Sequence, residues 1–249
     1  MDIKMNIILL QLLIKDDNMT KPNIERLEAE KKTQELLKAF VEGDRDTSWK
    51  AAQALGRIKD KDAVGPLLEL LYYDDSDIRW NAAISLGKIG DSQAVPVLVQ
   101  LLNDEKWYVR WHAVEALGNI GDESAVLPLI GVLSDEKIRN EAALSLGKIG
   151  DKRAVKPLIG SLSVDDSPFR SAAEDALGMI GDIEAVAPLI EALKDKDMGV
   201  RRHAAGALAK IGDEQALEPL KEASKDERWY VRLQIEEAID EIISKKGEK

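Results

Sequence analysis

The chain has 249 residues, a formal net charge of −11 at pH 7 and no cysteine. The absence of cysteine excludes disulfides, thiolate zinc sites and thiol catalysis, and it agrees with a cytoplasmic location. The acidic charge disfavours binding to a nucleic-acid phosphate backbone. The sequence has no run of 18 apolar residues, so we expect no membrane-spanning helix.

The N-terminus carries one apolar stretch, IILLQLLI at residues 7–14. It is short and lacks the small-residue cleavage site of a signal peptide. We expect residues 1–22 to be a disordered N-terminal extension, or translation to begin at Met19. The alternative is that residues 1–18 are an amphipathic segment that docks on the rest of the chain.

From about residue 44 onward, the chain repeats a phrase close to VRxxAAxALGxIGDxxAVxPLI. Its arginine recurs, mostly every 31 residues, at Arg79, Arg110, Arg139, Arg170, Arg201 and Arg232, and Ser48 takes its place in a degenerate first copy. The step before Arg139 is shorter by two residues, and we expect a tighter turn there. A period of this length predicts a solenoid of stacked units.

Each copy predicts two helices joined by a turn. In the copy at residues 91–122, we expect helix A over residues 92–102 and helix B over residues 106–120. Glycine ends each B helix and aspartate caps the next A helix, as in Gly90-Asp91. Counting from the arginine as zero, positions −1, +3, +7 and +10 of helix B are mostly apolar and lie within a sector of roughly 80°. They predict a buried stripe.

The repeats predict about seven helix pairs. Residues 23–58 form a divergent N-terminal capping pair, and residues 59–226 hold the repeats. Residues 227–249 form a C-terminal capping helix and tail, because Ile235-Glu236 replaces the alanine pair and acidic residues follow. A polar outer face is what a terminal repeat requires.

Over about residues 44–243, these motifs resemble HEAT repeats of the short type found in phycobilisome-lyase-like proteins. The phrase WYVR at residues 107–110 and 229–232 is also similar to the natural templates of designed helical HEAT-like binders. The resemblance implies an all-α, right-handed α–α superhelix. It also implies that the helix carrying the arginine lines a concave binding face.

Position +1 of helix B carries Trp49, Trp80 and Trp111 in three consecutive repeats. This position points away from the buried stripe, so the fold does not require large aromatic residues there. We expect a row of indoles that binds a partner. The alternative is that the indoles pack on one another or lie under the N-terminal segment. We expect Trp107 and Trp229, in the turns between helices, to be packing residues.

Polar residues on the same face are predicted to complete the binding site. They are Asn81, His112, Glu115, Asn140, Glu141, Asp175, Arg202 and His203. The repeated arginines are instead expected to be structural, paired with carboxylates of the turns and with carbonyl groups at helix ends.

The sequence shows no catalytic or metal-binding pattern. His112 and His203 are three repeats apart and cannot share an ion, and the adjacent His-Glu pairs of a HEAT-like di-iron hydroxylase are missing. We therefore expect no cofactor, no metal and no catalytic residue. The prediction is a non-catalytic scaffold that binds a protein or peptide. Two alternatives remain: a lyase or chaperone-like subunit of the bilin-lyase type, implied by resemblance alone, and a nucleic-acid-binding HEAT protein, which the acidic charge disfavours.

Overall fold

The structure is a computed structural model, and it describes residues 22–247. Within this range the chain forms fifteen α-helices and no β-strand. The helices belong to two compact units that divide between Asp122 and Glu123. The predictions for the N-terminal extension and for Met19 fall, apart from residue 22, on residues 1–21, which lie outside the described residues.

Unit 1 contains seven helices. They are α1 (Ile24–Ala29), α2 (Thr33–Glu42), α3 (Arg45–Ile58), α4 (Val64–Leu70), α5 (Ser76–Ile89), α6 (Val95–Leu101) and α7 (Trp107–Ile120). The B helices α3, α5 and α7 pack consecutively on one another. The A helices α4 and α6 each pack on the B helix that follows in the chain. Unit 1 is therefore two layers of helices, as stacked helix pairs require.

Unit 2 contains eight helices in the same arrangement. They are α8 (Val126–Gly131), α9 (Arg139–Ile149), α10 (Val155–Ser161), α11 (Ser167–Ile180), α12 (Val186–Ala192), α13 (Met198–Ile211), α14 (Leu217–Ala223) and α15 (Trp229–Gly247). The B helices α9, α11, α13 and α15 pack consecutively, and each A helix packs on the next B helix.

The B helices end and the A helices begin at the glycine and aspartate residues predicted to cap them. Gly90 ends α5 in the left-handed conformation, with φ of 79°, and its N–H donates to the carbonyl of Leu86. The Asp91 side chain then accepts a hydrogen bond from the Gln93 N–H and starts a short 3₁₀ turn that leads into α6. The first copy uses Lys59 at the same place, with φ of 55°. The left-handed backbone conformation is strained for a lysine, which has a Cβ atom, and is not strained for a glycine.

The buried stripe lies where the sequence predicts it. Alanine at position +3 and leucine at position +7 are fully buried, as Ala82 and Leu86 show. The isoleucines at position +10 lie at the edge of the stripe and are half-buried, except Ile242. Neighbouring B helices approach so closely that a Cβ atom on Gly87 would lie 2.7 Å from the Cα atom of Ala116. Glycine at this position therefore sets the spacing of the layer.

Residues 23–58 hold three helices rather than the predicted pair. The chain breaks between α1 and α2 at Lys31, which has a φ of 52°. The N–H of Lys32 donates to the carbonyl of Leu27 and closes this turn. Because a left-handed residue cannot continue a right-handed helix, one predicted helix becomes two.

The 29-residue step does not tighten the turn. Residues 132–138 separate α8 from α9, whereas residues 102–106 separate α6 from α7. Helix α9 instead begins at Arg139 itself, three residues later in the repeat than its equivalents. The shorter copy therefore loses the first turn of its B helix.

The last helix differs on the face that other B helices use for their next neighbour. Position +8 is a close-packed glycine in Gly147 and Gly178. In α15 this position is Asp240, and position +4 is Glu236 where most repeats have alanine; both are exposed. The face of α15 is thus polar and charged.

Candidate functional site: a tryptophan surface on unit 1

The B helices of unit 1 present three tryptophans from equivalent positions. Trp49 lies on α3, Trp80 on α5 and Trp111 on α7. The Trp49 residue is 44% exposed, and the other two are half-buried. We call Trp49, Trp80, Trp111 and the intervening His112 the tryptophan surface.

The His112 imidazole connects two of the indoles. It stacks on Trp80 with ring centroids 4.9 Å apart and an interplanar angle of 21°, and it meets Trp111 edge-on at 4.8 Å. Its Nδ1 atom lies 3.2 Å from Oε2 of Glu115. The structure thus brings together Trp80, Trp111, His112 and Glu115, while no described ring contacts Trp49.

Two carboxylates beside the tryptophans, those of Asp77 and Asp46, were not among the site residues predicted from the sequence. The indole N–H of Trp80 donates to Oδ1 of Asp77 at 3.1 Å, and the Arg45 guanidinium lies 3.0 Å from Oδ2 of the same residue. Asp46 lies at the same position of α3 and pairs with Lys50 at 2.7 Å. The repeated spacing Asp-x-x-Trp at residues 46–49 and 77–80 was the available signal, because residues three apart share a helix face.

Asn81 lies below this surface. Only 2% of the residue is exposed, and its Nδ2 atom donates to the carbonyl of Asp77 at 2.8 Å. Its Oδ1 atom is buried without a hydrogen-bond partner in the described structure. We therefore assign Asn81 to the support of the surface rather than to contact with a partner.

The remaining predicted site residues belong to unit 2. Oδ2 of Asp175 on α11 lies 2.9 Å from Nδ1 of His203 on α13, and Arg202 lies beside the same imidazole. Glu141 on α9 pairs with Lys148 at 3.6 Å. Asn140 is exposed on the same helix. Unit 2 therefore carries polar pairs where unit 1 carries indoles.

Trp107 and Trp229 are not packing residues. They are 51% and 66% exposed, more than any tryptophan of the tryptophan surface. Each makes an edge contact with the tyrosine that follows it, Tyr108 or Tyr230. They are the first residues of α7 and α15. The W-Y pattern thus marks helix starts.

The arginines of the repeat are structural. The Arg201 guanidinium bonds both carboxylate oxygens of Asp226, at 2.6 and 3.2 Å, and donates to the carbonyl of Asp195 in its own turn. Arg170 pairs in the same way with Asp195. The Arg201 guanidinium holds the pKa of Asp226 below its ordinary value through this hydrogen bond. Each such arginine ties its turn to the next repeat.

One buried acid has no structural partner. Glu174 on α11 occupies position +4, which is alanine or valine in most copies, and it is fully buried. Neither carboxyl oxygen has a hydrogen-bond partner in the described structure. Burial, together with the negative charges of Asp195, Asp175 and Asp197, raises the pKa of Glu174 to about 9 despite the opposing charge of Arg170. The signal in the sequence was a glutamate at position +4, where most repeats have alanine or valine.

No group of three or more acidic, histidine or cysteine side chains within residues 22–247 is arranged to hold a metal ion. None of the helices in this range is long and apolar enough to cross a membrane. A cleft of about 470 Å³ lies at the C-terminal ends of α3 and α5, lined by Arg57, Lys59, Lys88, Asn119 and three glycines. It contains none of the predicted site residues.

A family model described as HEAT repeats matches residues 33–106, 95–178 and 165–240. The complex of CpcE and CpcF of phycocyanin lyase from Nostoc sp. PCC7120 is 22% identical, with a TM-score of 0.58, and the match covers 92% of this chain and 97% of that chain. Computationally designed armadillo repeat proteins for modular peptide recognition are 20% identical, with a TM-score of 0.51, covering 72% and 99%.

The structure of Kap121p has a TM-score of 0.68 at 13% identity, and the match covers 97% of this chain but 34% of that chain. At such identities the likeness concerns the fold alone. No curated protein sequence matches the chain. The comparisons confirm the all-α repeat fold predicted from the sequence.

Proposed function

Because the chain belongs to the HEAT-repeat family, we propose that it is a non-catalytic module that binds a protein or peptide on the tryptophan surface of unit 1. The observation that carries this proposal is the placement of indoles at position +1 of three consecutive B helices. The fold does not need them there, because Asn140 and Ser171 take the same position in unit 2.

The composition of the surface is that of a binding hot spot. Tryptophan offers a large rigid contact area at a low cost in side-chain entropy, and it is enriched where truncation costs most affinity. Trp80 and Trp111 are held in place by His112, so little ordering is needed on binding. An exposed aromatic surface of this kind otherwise favours aggregation.

Two of the similar structures support a protein or peptide partner. One is a complex between two chains, CpcE and CpcF, and another was designed for modular peptide recognition. The acidic charge of the chain supports a partner other than nucleic acid. The lack of cysteine supports a cytoplasmic location.

Display of a random peptide library tests the proposal. Peptides are selected on the unaltered chain, and their affinity is then measured for the triple variant Trp49→Ala, Trp80→Ala, Trp111→Ala. The matched control is the double variant Trp107→Ala, Trp229→Ala, which removes two exposed indoles outside the surface. Circular dichroism establishes that both variants remain folded.

We expect the triple variant to bind the selected peptides at least about 30-fold more weakly, because hot-spot residues contribute roughly 2 kcal/mol or more on truncation. The control variant should bind as the unaltered chain does. Loss of binding in the control variant alone would place the binding surface at the helix starts and contradict the proposal.

A further inference from the structure

We infer that the partner presents a basic side chain, an arginine or lysine, to the aromatic cluster of Trp80 and His112 beside Asp77. This inference rests on the proposed function and deepens it, because it names the chemistry of the anchor. Three features of unit 1 carry it: the aromatic rings, the carboxylates at their edges, and a guanidinium that already occupies one of these carboxylates.

The carboxylates lie at both ends of the cluster. Asp77 accepts the indole N–H of Trp80, and Glu115 lies 3.2 Å from the imidazole of His112. Their side chains remain 34% and 35% exposed, so both can be reached from solvent. An apolar anchor would remove water from these carboxylates without replacing its hydrogen bonds, and an anionic anchor would be repelled by them. A cationic anchor would be attracted by them.

The aromatic rings favour the same chemistry. The faces of indoles attract cations, most often the guanidinium of arginine, and such contacts strengthen when the cation also meets a carboxylate. The planar guanidinium can lie on a ring while its edge donates to an acid. Trp80 and Asp77, joined by a hydrogen bond, offer these two surfaces side by side.

A guanidinium of the chain itself, that of Arg45, already lies where such a ligand would bind. Nε of Arg45 lies 3.0 Å from Oδ2 of Asp77, and the Arg45 side chain is 83% exposed. A surface pair of this kind contributes little to stability. The geometry around Asp77 thus accepts a guanidinium from the solvent side, and the resident one can be displaced. Arg45 would then act as a weak competitor for the partner.

The test uses the full chain and a pair of synthetic peptides, acetyl-Gly-Gly-Arg-Gly-Gly-amide and the same peptide with citrulline. Citrulline has nearly the same shape as arginine and carries no charge. Binding is followed by the indole N–H resonance of Trp80 in ¹H–¹⁵N spectra. The variants are Asp77→Asn, which keeps an acceptor for the Trp80 indole, and Arg45→Ala.

We expect the citrulline peptide to bind at least about threefold more weakly than the arginine peptide. Asp77→Asn should remove this difference, and Arg45→Ala should tighten arginine binding by about two- to fivefold. The exposed Trp107, outside the surface, should show no shift. Equal binding of the two peptides, or tighter binding of the citrulline peptide, would overturn the inference.

The two proposals fail separately. If library peptides bind through the three tryptophans and citrulline replaces arginine without loss, the basic anchor is wrong and the proposed function stands. If the triple tryptophan variant retains its peptides, the proposed function itself is wrong, and the basic anchor falls with it.

Discussion

The guanidinium of Arg79 donates two hydrogen bonds to the carboxylate of Asp104, at 2.8 and 3.1 Å, and Asp104 lies one repeat further along the chain. The same guanidinium donates to the carbonyl groups of Tyr73 and Asp74 in its own turn. Both side chains of the pair are nearly buried. Arg79 thus satisfies two carbonyl groups of the turn between α4 and α5 and holds the neighbouring repeat.

We expect Arg79→Ala to lower the free energy of unfolding by about 3–5 kcal/mol, because it leaves the Asp104 carboxylate and two carbonyl groups without their donor. Urea unfolding followed by circular dichroism measures this. Arg26→Ala is the control, since Arg26 forms only an exposed pair with Glu30. A loss of stability no larger than that of the control would show that the arginine is dispensable.

The buried acid gives unit 2 a pH dependence. The pKa of Glu174 is about 9 in the folded chain and near its ordinary value of 4.5 when unfolded. Between these values the unfolded chain has lost this proton and the folded chain retains it. Stability from this group is therefore complete below about pH 4.5 and falls as pH rises towards 9, by at most about 1.4 kcal/mol per pH unit.

Urea unfolding at pH 6, 7 and 8 of the chain and of Glu174→Gln checks this expectation. The variant should lose the downward slope and be the more stable protein at pH 8, because its neutral amide has no proton to lose. Parallel pH profiles for the two proteins would contradict the assignment of the slope to Glu174.

Close helix packing in unit 2 leaves no room for a Cβ atom at Gly147. A Cβ atom on Gly147 would lie 2.7 Å from the Cα atom of Ala176, which is backbone and cannot move aside. We expect Gly147→Ala to cost about 1–3 kcal/mol of unfolding free energy. Gly160→Ala, where no atom lies within 4 Å of the added Cβ, should be neutral or slightly stabilising. Thermal melts that rank these variants in the opposite order would refute this reading.

Core and surface positions on α3 and α5 should respond differently to truncation. Leu86 is fully buried, and Leu86→Ala should cost about 2–5 kcal/mol. Trp49 is 44% exposed, and we expect Trp49→Ala to leave the melting temperature almost unchanged. If the Trp49 variant melts as early as the Leu86 variant, the indole serves the fold.

The periodic part of the fold could be predicted closely from the sequence. Helix α7 begins one residue after its predicted start and ends where predicted, because Gly121 and the buried stripe leave few alternatives. The break at Lys31 could not be predicted, because no glycine or proline marks it. The start of α9 was missed because the deletion could be absorbed by either the turn or the helix.

The candidate site was predicted in part. Residue types at position +1 could be compared across repeats, and this comparison revealed the tryptophans. Contacts between repeats, such as the stack of Trp80 on His112, depend on rotamers that a sequence does not determine. The burial of Asn81 was not predicted either. Position +2 lies at the border between the buried stripe and solvent, so the sequence does not determine whether its side chain is buried.

The charged face of α15 has a consequence for how molecules of this protein can meet. A further helix could pack there in the manner of its neighbours only by burying Asp240 and Glu236 without partners. Such burial costs several kcal/mol for each carboxylate or requires it to take up a proton. Joining of successive molecules end to end into filaments is thereby opposed at this face. Two exposed side chains outside the core, Asp240 and Glu236, therefore decide whether a further helix can pack on this face.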